Sequence, residues 1–403
     1  MPMEPILTGV RVIDMTQYLA GPTVTRLMAE MGADIIKIEQ APYGDPTRGL
    51  LAMKDGRSGY FVQQNRGKKS LCIDFDDPQG RRILDELLAS ADVLVENYGP
   101  GVLERRGLDF DSLHAKHPRL VMASISGFGR KGVYSHKTAF DLIAQAFSGF
   151  MEVTGAADGP PMPVGVSFAD VSSGVHALAG LGMALYHRER TGRGQHVDIA
   201  MVDSLFHAHE IALQAEVITN GRFRIGRSGE KSSINAPQGA YKSPEGYVVL
   251  QVMQGQWPGF CRALALPELE TDERFSDIRG RKRNLIELNR IIEGWMATME
   301  TDAEVLARLE AHRVPCAPVL HPSDAIGHPY FVDRDMVRVV PDPILGEVTI
   351  PGNPLKFSEQ PVPLDLLAPL LGEHNSEILT ELGYSSDDIA RLHDTGVLRR
   401  ADT

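Results

Sequence analysis

Cysteine is scarce in this chain: Cys72, Cys261 and Cys316 are the only three in 403 residues. They lie far apart and without metal-ligand spacing, which excludes a disulfide framework and predicts reduced thiols. No apolar run approaches the roughly 18 residues of a membrane span. The start, MPMEPILTGV, has neither a basic stretch nor an apolar core, so no secretory leader is visible. Positive charge is in deficit, with 41 Lys and Arg against 53 Asp and Glu and a net charge of -12. That balance disfavours a general nucleic-acid binder, yet basic groups gathered locally can still hold a polyanion. A soluble cytoplasmic protein with no nucleic-acid or membrane partner is expected. Internal repeats and low-complexity tracts are missing as well.

The length predicts two domains or one large α/β domain. Val10 to Met15 (VRVIDM) is a β-branched run suited to a buried strand. Thr23 to Met31 has helical spacing and ends at Gly32, and Ala33 to Glu39 (ADIIKIE) is a second buried strand. This is a βαβ unit, and the pattern recurs. A strand is predicted at Ser70 to Phe75, a helix at Gly80 to Ser90, and strands at Ala91 to Glu96 and Leu120 to Ser126. One long helix follows, Val171 to Arg188, whose repeated glycines predict close packing. The turn Thr191 to Gln195 leads to a strand at His196 to Met201. Past Asn220 the texture turns basic and polar, with Arg222, Arg224, Arg227 and Lys231. A small α+β region is expected from 221 to 329, with a strand at Tyr247 to Gln251 and a helix at Ala303 to Ala311. The large domain, 1–220, is expected to be completed by about 330–403, a proline-rich tail ending in a helical piece at Ser385 to Gly396.

The first βα turn is QYLAGP, Gln17 to Pro22, and not the G-x-G-x-x-G of dinucleotide binders. Glu39 stands where a ribose-binding acid would, but without the glycines a Rossmann-like scaffold serving another ligand is the better reading. Asp170, in FADVSSG just before the long helix, suits an N-cap. It also suits a nucleophile, because the positive end of a helix dipole favours an ionised carboxylate and free N–H groups there can hold an oxyanion. Asn97 to Gly101 (NYGPG) follows a parallel strand, where ligands bind in open α/β sheets. Arg105 and Arg106 come next, and Arg66, Lys68 and Lys69 sit in NRGKKS. Each is either a phosphate contact or solvated surface charge. His207 and His209, two apart, would diverge on a helix, so no metal site is expected.

Taken together, these segments resemble the class III CoA-transferases, the family of formyl-CoA transferase and the carnitine CoA-transferase of bacteria. The matching pieces include GVRVIDMTQYLAGP, LMAEMGADIIKIE, GDPTR, NRGKKSLCIDF, ENYGPG, RRGLDF, AFDLIAQAFSGF, FADVSSG and RERTGRGQHVDIAM. The match is dense from 8 to 205 and looser to about 395. The resemblance implies a Rossmann-like large domain with a parallel sheet, a smaller α+β domain and an interlocked homodimer. It implies Asp170 as nucleophile and CoA contacts at Leu19, Ala20, Ile73, Asp74, Phe75, Asn97, Tyr98, Gly99, Arg105, Arg106, Lys137 and Phe140, the last at the edge of the span Lys137 to Asp141. The substrates implied are an acyl-CoA donor, with succinyl-CoA the first guess, and a small carboxylic acid, joined through an aspartyl-CoA thioester. A C4 to C5 dicarboxylic acceptor is expected, with carnitine-like acids left open: one of Arg222, Arg224 and Arg227 pairs with its second carboxylate, or the three form an exposed basic loop. No permanently bound cofactor is implied.

Three departures stand out. Gly99 replaces the arginine of many members, so a phosphate contact would have to come from elsewhere. Ser228 to Gln238 lacks the glycine run that serves some oxalate-using members as a lid. Phe140 replaces the histidine that α-methylacyl-CoA racemases of the superfamily pair with the aspartate. A racemase needs two acid–base groups, so this favours transfer over isomerisation. A non-catalytic CoA-binding protein is the third class, opposed by the presence of Asp170.

Overall fold

The structure is a computed structural model that describes residues 4–232, 234–359 and 366–401. Part of the proline-rich tail, 360–365, and Ser233 of the stretch without a glycine run lie outside the described residues. By its internal contacts the chain divides into two units, 1–148 with 165–208 and 329–403, and 149–164 with 209–328.

The first unit is built on six strands: β1 (Arg11–Met15), β2 (Asp34–Gln40), β3 (Lys68–Ile73), β4 (Val93–Glu96), β5 (Val121–Ser126) and β6 (His196–Ala200). Their order is β3-β2-β1-β4-β5-β6 and every pairing is parallel. This is the doubly wound order with its switch point between β1 and β4. The near-continuous apolar strands bury both faces, as a parallel sheet requires.

On one face lies a core of Ile13, Ile36, Leu71, Ile83, Leu87, Leu94 and Met122. Helix α3 (Pro78–Ala89) contributes to it, as do the helices Asn375–Glu381 and Ser386–Asp394 through Ile378, Leu379, Ile389 and Leu392. Helix α1 (Ala20–Glu30) packs against the long helix α6 (Phe168–Thr191). Their approach is tight at Gly174, where a Cβ would stand 2.8 Å from the Ala20 carbonyl oxygen. Helices α2 (Gly59–Asn65), α4 (Phe110–Lys116), α5 (Asp141–Phe147) and α7 (Met201–His207) complete this part.

Helix α6 corrects one expectation. At 24 residues it is long and apolar enough to cross a membrane by length and composition alone. Gly, Ser and His interrupt its apolar residues, so no unbroken apolar run marks it in the sequence.

The second unit holds a three-stranded antiparallel sheet of β7 (Gln238–Lys242), β8 (Tyr247–Gln251) and β9 (Cys316–Pro318), in the order β9-β8-β7. Tyr241, Val248, Leu250, Trp257, Phe260, Ile292 and Leu309 form its core. Arg281 is wholly buried there and donates to the carbonyls of Ala236 and Phe275 and to Gln254 Oε1.

Candidate active site

Asp170 is not the N-cap of α6. The cap is Ser167, and Asp170 is the third residue of the first turn. Capping comes instead from Asp141, the first residue of α5. Its Oδ1 accepts the backbone N–H of Ala169 at 2.7 Å and that of Asp170 at 3.3 Å, and its Oδ2 accepts from Gln145 Nε2 at 2.6 Å. The Phe168 N–H is taken by the Val166 carbonyl. The backbone donors expected to hold an oxyanion are therefore occupied.

Electrostatics correct the reading further. Burial, and then the nearby negative charge of Asp141, push the Asp170 carboxyl up to about 7. The helix dipole was expected to keep this group ionised; removal from water and a like-charged neighbour prevail. A half-buried carboxyl that titrates near neutrality is a perturbed group of the kind found at functional sites.

Tyr60, in α2, is a neighbour that the sequence did not single out. Burial, then the charges of Asp170 and Asp45, raise its phenol to about 12, so it stays a hydrogen-bond donor at neutral pH. Asp45 belongs to a buried ionic network with side chains of β1, β2 and β3. Lys37 Nζ lies 2.9 Å from Asp45 and donates to the Thr16 carbonyl at 2.6 Å. Lys68 Nζ lies 2.9 Å from Asp14. Burial opposes the charged form of Asp14, but Lys68 and Lys37 hold it down to about 2. Burial brings Lys68 down to about 8.

Most of the positions expected to meet CoA follow the carboxyl ends of β1, β3 and β4, and Lys137 and Phe140 lie between β5 and α5. Leu19 caps α1 and Ala20 opens it, both buried. Ile73 and Phe75 point into the core, so only their backbones can meet a ligand. Asp74 Oδ1 accepts from Gln40 Nε2 at 2.8 Å. Asn97 has its amide engaged with the Gln17 backbone. Tyr98 is half-buried, its phenol raised to about 12 by burial. Gly99 is exposed, with open space where a side chain would stand. Arg106 clasps Asp76 at 2.7 and 2.8 Å, whereas Arg105 is exposed and forms no ion pair among the described residues. Lys137 is exposed, 4.0 Å from the Tyr134 ring. Phe140 is 70% exposed and meets Tyr18 edge-on at 5.9 Å.

Other basic groups are spent internally. Arg66 pairs with Glu30, Lys68 with Asp14, and Lys69 with Asp34 and Glu377. They lie at the amino end of β3, away from the strand ends where ligands bind, so the phosphate-grip reading of NRGKKS does not hold. In the second unit Arg224 pairs with Glu216 and Arg227 with Glu152, at 2.5 and 2.8 Å. Arg222 is exposed and donates through Nε to the Thr219 carbonyl. His207 faces the His176 ring and His209 the Phe150 ring, in separate units. A cavity of about 330 Å³ beside β4 and β5 is lined by Glu96, Arg130, Ser124 and His196, and by none of the expected CoA contacts. Arg130 bridges Glu96 to the Tyr98 carbonyl.

The model of the CoA-transferase family III matches residues 7–375. A formyl-CoA:oxalate CoA-transferase of Streptomyces coelicolor is 38% identical over 97% of this chain and 99% of its own length. A succinyl-CoA:mesaconate CoA-transferase of Haloarcula hispanica is likewise 38% identical, over 94% and 97%. Among solved structures, a CAIB/BAIF family protein from Brucella suis superposes with a TM-score of 0.83 at 32% identity, over 94% of this chain and all of that one.

Proposed function

The chain belongs to the CoA-transferase family III and is a CoA-transferase, and from that premise we propose that Asp170 carries the transfer as a covalent nucleophile. The observation that carries this reading is the carboxyl of Asp170, half-buried beside Asp141 and raised to about 7.

The Asp170 carboxylate attacks the thioester carbonyl of a donor acyl-CoA and expels CoA thiolate, leaving an acyl–aspartyl anhydride. The thiolate attacks the aspartyl carbonyl, releases the donor acid and leaves an aspartyl-CoA thioester. The acceptor carboxylate attacks that thioester, forming a new anhydride and thiolate. Attack of thiolate on the acceptor carbonyl then frees the product acyl-CoA and restores Asp170. The raised pKa supports this cycle. An ordinary aspartate titrates near 3.9 and an alkyl thiol near 8.5, a gap of about 4.6 units. At about 7 the aspartate comes close to the thiolate, so passing an acyl group between them is nearly balanced. Tyr60, protonated at working pH, is suited to donate to the developing oxyanion in place of the occupied helix N–H groups.

The free Arg105 guanidinium and Lys137 support phosphate binding at the strand ends, and Leu19, Ala20 and the Asp74 and Tyr98 loops support contact along the CoA chain. For the acids, succinyl-CoA as donor and a C4–C5 dicarboxylic acceptor fit best. Of the acids named for the two relatives, oxalate, succinate and mesaconate carry two carboxylates and formate carries one, and the stretch Ser228–Gln238 has no glycine run. Val171, Val175, Met183 and Tyr186 leave one face of α6 apolar and exposed, which supports a homodimer in which a second copy covers it.

Hydroxylamine trapping tests the nucleophile. Incubation with donor acyl-CoA should modify the peptide of Asp170 and leave that of Asp141 untouched. Asp170→Ala and Asp170→Asn should abolish transfer with CoA affinity kept within a few-fold. Normal turnover in both variants, or labelling at Asp141, would overturn the assignment.

A further inference from the structure

We propose that Asn97 is a positioning residue of the aspartate centre, acting through the turn after β1, rather than a ligand of CoA; the proposal rests on Asp170 being the nucleophile. Asn97 is the first residue after β4 and faces the β1 turn across the switch point of the sheet. Its Oδ1 accepts the Gln17 N–H at 2.8 Å and its Nδ2 donates to the Gln17 carbonyl at 2.7 Å. The preceding residue is held in the same manner. The Thr16 N–H goes to Asp14 Oδ1 at 2.9 Å, and the Thr16 carbonyl accepts from the buried Lys37.

Side chains thus take all four backbone polar groups of Thr16 and Gln17. Neither residue has a strand partner at this point, because the sheet parts on either side of the switch. The clamp is what the turn has in place of a ladder.

The geometry it maintains is strained. Tyr18 has φ of 63°, in the left-handed region that a bulky residue rarely visits. From there its ring reaches the edge of Phe140 at 5.9 Å. Phe140 is the cap residue of α5 and precedes Asp141, whose carboxylate holds the first turn of α6 and Asp170. Asn97 therefore fixes Gln17, Gln17 fixes Tyr18, and Tyr18 bears on the element that sets the position of Asp170. An amide is needed for this: an acceptor faces the N–H and a donor faces the carbonyl, and aspartate offers only acceptors.

The test uses Asn97→Asp, which keeps the shape, and Asn97→Ala. Both should lower kcat at least tenfold. The Kd for CoA by calorimetry and the KM for the thioester should stay within threefold. In Asn97→Ala, which removes the acceptor of the Gln17 N–H, amide hydrogen exchange at Gln17 should quicken at least tenfold, while the amides of β1 stay protected and report an intact fold. A tenfold rise in Kd with kcat unchanged would make Asn97 a CoA ligand and overturn the proposal, as would unchanged exchange at Gln17. The two readings fail separately. An active Asp170→Asn enzyme would remove the nucleophile and leave the Gln17 amide slow, whereas a missing clamp would leave that amide slow in Asn97→Ala.

Discussion

Asp141 holds Asp170 by its backbone N–H, at 3.3 Å, while its negative charge opposes ionisation of the Asp170 side chain. One carboxylate thereby places the other and tunes it. Asp141→Asn should separate these roles, since an asparagine oxygen can still accept the two N–H groups of α6 but carries no charge. The acidic limb of kcat/KM, expected to rise with pH through about 7 as Asp170 ionises, should shift to lower pH by on the order of one unit. A pH–rate profile that does not move would mean that Asp141 adds nothing to the perturbation.

The same carboxyl should mark stability. Its folded pKa of about 7 exceeds the ordinary value, so the folded state binds the proton more tightly than the unfolded chain. Stability is fully present below about pH 4 and is lost as pH rises to about 7. Asp170→Asn should match the parent near pH 4 and exceed it above pH 7 by on the order of 2–4 kcal/mol. Urea unfolding at the two pH values measures this.

Arg105 and Arg106 are neighbours with different commitments. Arg106 is clasped by Asp76, and Arg105 is open to solvent. Arg105→Gln should weaken CoA binding roughly tenfold to a hundredfold, the loss of a charge-assisted bond of roughly 1.5–3 kcal/mol, and flatten the dependence of Kd on salt. Arg106→Gln should change Kd by less than threefold. Equal losses would assign both guanidinium groups to the phosphates.

Lys37 is fully buried against Asp45 and the Thr16 carbonyl. Lys37→Met should cost about 3–5 kcal/mol, because the buried carboxylate of Asp45 is left without its counter-charge. A loss below about 1 kcal/mol in chemical denaturation would place this pair among those of no net worth.

Much of the sheet was legible in the chain itself. VRVIDM, ADIIKIE and ADVLVE are apolar runs bounded by turn residues, and burial on both faces leaves such runs little choice but a parallel strand. The repeated glycines of α6 agree with its close approach to α1 at Gly174, whereas the order of the strands follows from their long-range pairing. Asp170 could be named from FADVSSG, but its protonation could not, nor could its cap. Asp141 lies 29 residues before it in the chain and Tyr60 stands 110 residues away. A pKa depends on which charges and how much water surround a group in space, and spacing along the chain carries neither. NRGKKS shows the converse: the sequence displays three cations, and only the tertiary structure pairs them with Glu30, Asp14, Asp34 and Glu377. Asn97 and Gln17, 80 residues apart, meet because folding brings the ends of β1 and β4 to one switch point. What the sequence determines is which segments can bury themselves and how. Which polar groups then face one another is decided by the long-range packing of those segments, and the chemistry of the site depends on that pairing.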